Sequence, residues 1–155
     1  EAMGIDLDLP AAFAKAQISS GNSLPTFGKA FVSVKDDDKV KILSLCENLI
    51  LLGFDIISTK GTHEYLKKNN ISSQVVKKVK EGSGNIVDLM KNAEIDILVN
   101  TTSTKKEIVE SFSIRRTALI KQVPYFTTIA GATAAIDAID YLKKGIIKVK
   151  PLQEY

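Results

Sequence analysis

Short apolar runs alternate with helix-patterned stretches from residue 29 to residue 145, and this alternation restricts the fold more than any other feature. The runs are "KAFVSV" (29–34), "FDIIS" (54–58), "QVVKKVK" (74–80), "IDILVN" (95–100) and "PYFTT" (124–128). They are too short for helices and are apolar at consecutive positions, as expected of strands buried on both faces. Between them, "KVKILSLCENLILLG" repeats its apolar residues at helical spacing and ends at Gly53, a suitable residue just past a helix end. "HEYLKKNN", "IVDLMKNAE" and "IRRTALIKQ" read as further helices, and "GATAAIDAIDYLKKG" as a last one closed by Gly145. Strands alternating with helices in this way imply a parallel sheet covered on both sides. The expected fold class is α/β, a three-layer sandwich with about five parallel strands.

Ahead of this region, "MGIDLDLPAAFAKAQISSG" carries a short helix pattern, Ala11 to Gln17, and "NSLPTFG" reads as a linker because Pro, Gly and Ser gather there. The chain opens on Glu1 and not on methionine, which fits a piece of a longer polypeptide or a processed start. At 155 residues, 45% hydrophobic and 25% charged, the chain reads as one soluble globular domain with a real core. No apolar run reaches the length of a membrane span, and no signal peptide shows. A net charge of +3 is mild, and no duplex-binding module is recognisable, so nucleic acid is not expected as a partner. The lone Cys46 lies on the apolar stripe of "ILSLCENLILL", where an inert core thiol is expected. One cysteine permits no internal disulfide, so a reducing cytoplasm is the expected setting.

The unusual polar residues gather where the strands end. "KDDDK" follows the first strand, "STKGT" the second, "KKVKEGSGN" the third and "NTTSTKK" the fourth. In parallel α/β sheets ligands bind beyond these carboxyl ends. An anion site there needs exposed backbone N–H groups, donating hydroxyls and a fixed cation. Gly61 allows close backbone approach, Thr59 and Thr62 supply hydroxyls, Thr101, Thr102 and Ser103 repeat the theme, and Lys39 and Lys78 are candidate cations. Each piece also has a plainer reading. Thr62 before "HEYL" is a candidate N-cap. "KKVK" alone reads as a solvated face, and "DDDK" as a polar turn whose acids point apart. His63 lacks metal-ligand spacing and reads as a surface helix residue, so no metal site is expected. Convergence at adjacent strand ends favours a phosphate-bearing ligand over these readings taken singly.

In order and spacing, "STKGT…VVKKVKEG…ILVNTTS…IRRTAL…PYFTTIAGA" resembles the methylglyoxal-synthase-like domain that closes the large subunit of carbamoyl phosphate synthase. The resemblance covers roughly Gly28 to Leu152. The opening segment also resembles the piece joining that enzyme's second ATP-grasp half to this domain. The implied division is 1–27, a helix and linker from the preceding ATP-grasp half, and 28–155, the methylglyoxal-synthase-like allosteric domain. The implied parent is an ATP-dependent ligase, using Mg or Mn, that makes carbamoyl phosphate from bicarbonate and ammonia or glutamine for pyrimidine and arginine synthesis. Its partners would be the ATP-grasp domains of the same chain and a glutaminase small subunit. The terminal domain itself does no chemistry and holds no cofactor. In bacterial members it binds UMP as inhibitor or IMP as activator.

The resemblance implies an effector site made of Lys39, Thr59, Gly61, Thr62, Lys78, Asn100, Thr101 and Thr102. It puts Tyr125 and Thr127 where bacterial relatives help bind ornithine. Two departures stand out. Thr104, Lys105 and Lys106 replace a Gly-Arg-Arg, which keeps charge but loses the planar fork of arginine. Phe126 stands where some relatives carry aspartate. Three other functions remain open. An actual methylglyoxal synthase acting on dihydroxyacetone phosphate needs a carboxylate base, for which Asp88 is the candidate, although its plainer reading is a surface helix residue. A non-catalytic oligomerisation module would leave the socket empty. An acetylglutamate-regulated relative would not need two phosphate lysines.

Overall fold

The computed structural model describes residues 2–145 and 147–154, and their side chains except those of Lys105, Lys106 and Glu110. The lysine replacements at 105 and 106 therefore lie outside the described side chains. Strands β1 (Gly28–Ser33), β2 (Phe54–Thr59), β3 (Gln74–Val76), β4 (Ile97–Asn100) and β5 (Tyr125–Phe126) form one sheet in the order β3-β2-β1-β4-β5. All four pairings are parallel. This is the expected three-layer α/β arrangement.

Alternation along each central strand divides the core into two layers. Ala30 and Val32 of β1, Phe54 and Ile56 of β2, and Ile97 and Val99 of β4 face one side. There they meet helices α2 (Ile42–Leu51), α3 (Lys60–Lys68) and α7 (Ile129–Lys144) through Leu45, Leu49, Leu66, Ala135 and Ile139. Phe31, Ile57 and Leu98 face the other side, against α4 (Ile86–Lys91) and α6 (Phe112–Ile120) through Ile86, Met90, Ile114 and Ala118. Helix α5 (Lys105–Glu110) precedes α6. Because the middle strands are covered twice, their residues read as continuous apolar runs.

The N-terminal helix α1 (Leu9–Ser19) is longer than its apolar pattern predicts. Asp8 caps it by accepting the Ala11 N–H at 2.9 Å, and Pro10 sits in its first turn, where a missing N–H has no consequence. Its small residues Ala11 and Ala14 are buried, and it packs along α7. Ala14 and Leu24 belong to the same core cluster as β1 and α7. The segment from α1 to Leu24 is thus joined to the domain by packing.

Two strand readings shorten. The run over 74–80 is a strand only for Gln74–Val76. Lys77 makes a single bridge to Asn85, and Val79–Glu81 form a 3₁₀ turn. Successive lysines gain nothing from a pleated surface that is half buried, so the chain leaves the sheet where charge begins. Helix α5 is absent from the sequence reading, although Thr104 and Glu107 form a Ser/Thr-x-x-Glu capping box that announces it.

Gly28 opens β1 at φ +124, a conformation that L side chains rarely adopt. A Cβ there would lie 2.0 Å from Asp96 Oδ2, the same oxygen that accepts the Lys29 N–H at 2.7 Å. Gly28→Ala is expected to destabilise the fold by about 1–3 kcal/mol in urea unfolding, through backbone strain and loss of this tie between β1 and the start of β4. Cys46 is fully buried, and desolvation pushes its thiol up to about 12. Native protein should therefore resist alkylation at neutral pH and react only on unfolding, as mass spectrometry of iodoacetamide-treated samples would report.

Candidate functional site

At the carboxyl ends of β1 and β4 the chain turns in opposite directions, because β1 leads to β2 on one side and β4 to β5 on the other. Such a switch point leaves a crevice between adjacent loops. Two bonds hold this crevice in shape. The Thr101 N–H donates to Ser33 O at 3.1 Å, and the Lys35 N–H donates to Thr101 Oγ1 at 3.1 Å. The crevice is a cavity of about 600 Å³, and Lys39, Thr59, Gly61, Thr62, Lys78, Asn100, Thr101 and Thr102 all line it. All eight residues of the expected effector site therefore surround one space.

Helix α3 delivers the first group. It begins one turn earlier than expected, with Thr59 and not Thr62 in the N-cap position. The Thr59 side chain makes no capping bond and instead pairs with Ser33 Oγ at 3.0 Å. The leading N–H groups of this helix, at Lys60, Gly61 and Thr62, are thus left without the usual internal partner and carry the positive end of the helix dipole. Thr62, within the first turn and 2% exposed, accepts the Val34 N–H at 3.3 Å. Thr62 and Thr101 each accept a backbone N–H, so each hydroxyl keeps its own proton to donate. A cavity lined in this way presents donors, which is what an anionic oxygen requires.

Charge on the wall is balanced and not simply basic. Lys35, Lys39, Lys78 and Lys80 line the cavity together with Asp36, Asp37, Glu81 and Glu107. The "DDDK" segment is a 3₁₀ turn, Asp36–Asp38, whose acids do point apart. Asp36 meets Lys39 at 2.7 Å, Asp37 meets Lys35 at 4.0 Å and Asp38 meets Lys41 at 3.6 Å. Lys39 also lies 6.0 Å from the centre of the Tyr65 ring. Lys78 is exposed, and its ammonium forms no ion pair among the described residues. Ser33, Lys35 and Glu107 also line the cavity and are not among the residues expected from the sequence; the first two lie at the end of β1 and just beyond it, and Glu107 is an acid where donors and cations are expected. The floor is apolar, formed by Phe31, Val79, Ile86 and Ile114.

Tyr125 and Thr127 do not line the cavity. Tyr125 is connected to it: its hydroxyl accepts from Asn100 Nδ2 at 3.2 Å and from Arg115 Nε at 3.3 Å. Thr127 is exposed at the start of the turn into α7. His63 is half-buried, with Nδ1 2.8 Å from Ser73 Oγ, and is not a bare surface residue. Asp88 is also absent from the wall. It accepts the Gly84 N–H at 2.8 Å and the Asn85 N–H at 3.3 Å, completing the N-terminal cap of α4. Among the described residues no group of three or more His, Cys, Asp or Glu could hold a metal ion, and no helix is long and apolar enough to cross a membrane.

Glu107 is gripped most tightly among the wall acids. One of its oxygens, Oε2, accepts the Ser103 N–H at 2.7 Å, the Ser103 hydroxyl at 2.9 Å and the Thr104 N–H at 3.1 Å. These bonds, led by the Ser103 N–H, hold its carboxyl below the ordinary value of 4.5.

The MGS-like domain family matches residues 41–127 of this chain. The chain is also similar along its whole length to part of several much longer proteins. It is 49% identical over 155 residues to the carbamoyl phosphate synthase large chain of Myxococcus xanthus (strain DK1622), covering 100% of this chain and 14% of that one. Identity to the large chain of Mesorhizobium japonicum is 44%, covering 13% of that protein. The carbamoyl phosphate synthase large chain, C-terminal section, of Methanopyrus kandleri is 44% identical over 99% of this chain and 29% of its own length. This chain thus spans only 13–14% of the length of these two full-length relatives.

The Glu107 bonds set a pH dependence with a definite sign. A carboxyl whose folded-state pKa is depressed adds stability above its unfolded value and loses it as pH falls through the folded value. Glu107→Gln should therefore flatten the acid limb of the stability profile below about pH 4.5, the ordinary value. The group is largely solvated, so the change is expected to be small. Chemical denaturation of wild type and variant across pH 3–6 checks it.

Proposed function

This chain belongs to the MGS-like domain family, and on that footing we propose that it is the regulatory, effector-binding domain of a carbamoyl phosphate synthase large chain. The effector is a nucleoside monophosphate, UMP or IMP. One observation carries the reading: the eight residues of the effector site that the resemblance implies, drawn from four separate strand ends, line a single cavity of about 600 Å³. That volume falls in the range typical of small-molecule sites, about 300–1,000 Å³.

In this reading the phosphate sits over the start of α3. The free N–H groups there, the hydroxyls of Thr59 and Thr62, and the Lys78 ammonium supply donors and charge. Gly61 leaves room for close approach, since a Cβ at that position would meet nothing within 4 Å. Asn100, Thr101 and Thr102 face the ribose, and the apolar floor of Val79, Ile86 and Ile114 receives the base. The domain does no chemistry of its own. Control passes to ATP-grasp domains of the same cytoplasmic chain, which with ATP and a divalent metal make carbamoyl phosphate beside a glutaminase subunit.

Residues 1–27 serve as the junction with the preceding ATP-grasp half, and 28–155 as the effector domain. Because α1 is packed on α7, the junction is a rigid lever for such control. Ornithine, where it acts, does so at Tyr125 and Thr127. The synthase alternative finds less support, because Asp88 is occupied as a helix cap and is absent from the cavity wall. Turnover of dihydroxyacetone phosphate by the isolated chain would restore it.

Isothermal titration with UMP and IMP tests the proposal, and saturable binding of at least one is expected. Lys78→Ala should weaken binding by about 1.5–3 kcal/mol, the range for a hydrogen bond to a charged group. Gly61→Ala should separate fold from function. Helix propensity predicts unchanged stability or a gain of up to about 1 kcal/mol, while ligand affinity falls because the methyl group occupies the approach to the backbone. Unchanged affinity in both variants would refute the site.

A further inference from the structure

Glu107 differs from the other acids on the cavity wall. Asp36 and Asp37 each face a lysine ammonium, at 2.7 and 4.0 Å. Glu81 is exposed, and one of its oxygens accepts the Lys78 N–H at 2.9 Å. Glu107 is held by three neutral donors from Ser103 and Thr104, with no cation paired to it among the described residues. Three bonds to one oxygen fix the carboxylate in space. Its negative charge is therefore delivered at one place on the wall and is not averaged over rotamers.

The scale of the cavity makes that charge matter. A space of about 600 Å³ is comparable in width to one Debye length, about 8–10 Å near physiological salt, so charges inside it are incompletely screened from one another. Two of the four wall lysines, Lys35 and Lys39, are already engaged with aspartates. A ligand with one phosphate can be met by the α3 N–H groups, the threonine hydroxyls and Lys78. A second phosphate adds negative charge to a wall whose described lysines and acids are already matched four to four, and it adds repulsion from Glu107.

We propose that Glu107 is a specificity-determining residue, whose fixed carboxylate restricts the cavity to nucleoside monophosphates by repelling ligands that carry a second phosphate. The proposal rests on the nucleotide reading of the cavity given above. Glu107 lies in the first turn of α5, four residues beyond Ser103.

Uridine nucleotides test it, because UMP and UDP differ only in phosphate count. Dissociation constants for both are measured by titration calorimetry on the full chain, for wild type and Glu107→Gln, at low and at 0.5 M salt. Glutamine keeps an acceptor for Ser103 and removes the charge. Wild type is expected to prefer UMP. In the variant UMP binding should not weaken, and the UDP-to-UMP ratio of dissociation constants should fall by about tenfold. High salt should shrink that difference. Glu107→Ala should shift the ratio in the same direction. A ratio unchanged in both variants overturns the proposal, as does equal weakening of both ligands, which would mean that Glu107 only supports the loop. Wild type binding UDP as tightly as UMP overturns it too. Wild type binding neither refutes the nucleotide reading itself, and the Glu107 proposal with it.

Discussion

Two hydrogen bonds at the top of the sheet, Thr101 N–H to Ser33 O and Lys35 N–H to Thr101 Oγ1, hold the region on which the rest depends. β1 and β4 run side by side up to the pairing of Ser33 with Asn100. Beyond it the chain must part, because the strand order continues in opposite directions from this seam. A parallel sheet with one reversal of order can open a crevice in few other places. The two bonds keep the diverging loops close enough to form walls and far enough apart to leave a cavity.

The cavity draws on oriented donors more than on net charge. Lysines and acids are matched on its wall, and the exposed pairs among them contribute little to stability. Thr62 and Thr101 each have an acceptor site taken by a backbone N–H, which leaves a proton to give. The start of α3 lacks a side-chain cap, so its N–H groups stay available. These features are preorganised by the fold. An anion entering the cavity meets donors already in place, and the lysines that must swing to it leave only weak, solvated pairs.

Much of this was legible in the sequence, for physical reasons that also explain the misses. Strands buried on both faces show themselves as apolar runs, and the helices between them show as 3.6-residue periodicity, so layers and strand number could be read directly. Seven of the eight wall residues can be read from the pattern because a parallel sheet sends every strand end to one rim; Asn100 follows only from the resemblance to the family. Valines beside lysines over 74–80 look strand-like throughout, whereas only Gln74–Val76 pair with β2 before the chain turns into a 3₁₀ segment. Thr62 reads as a candidate cap because the helical pattern becomes clear only at "HEYL"; the cap position belongs to Thr59. The balance of charge was invisible, since which lysine reaches which aspartate is decided in three dimensions. Glu107 was visible as the fourth member of a capping box, but its place on the cavity wall was not.

The central claim is that the loops after β1, β2, β3 and β4 act together as one nucleotide socket. Amide chemical-shift mapping by NMR, with UMP or IMP added stepwise, tests this most directly. The account predicts perturbations concentrated in 33–35, 59–62, 78–81 and 100–104, all titrating with one dissociation constant. Shifts confined to a single loop, or centred elsewhere on the protein, would contradict it.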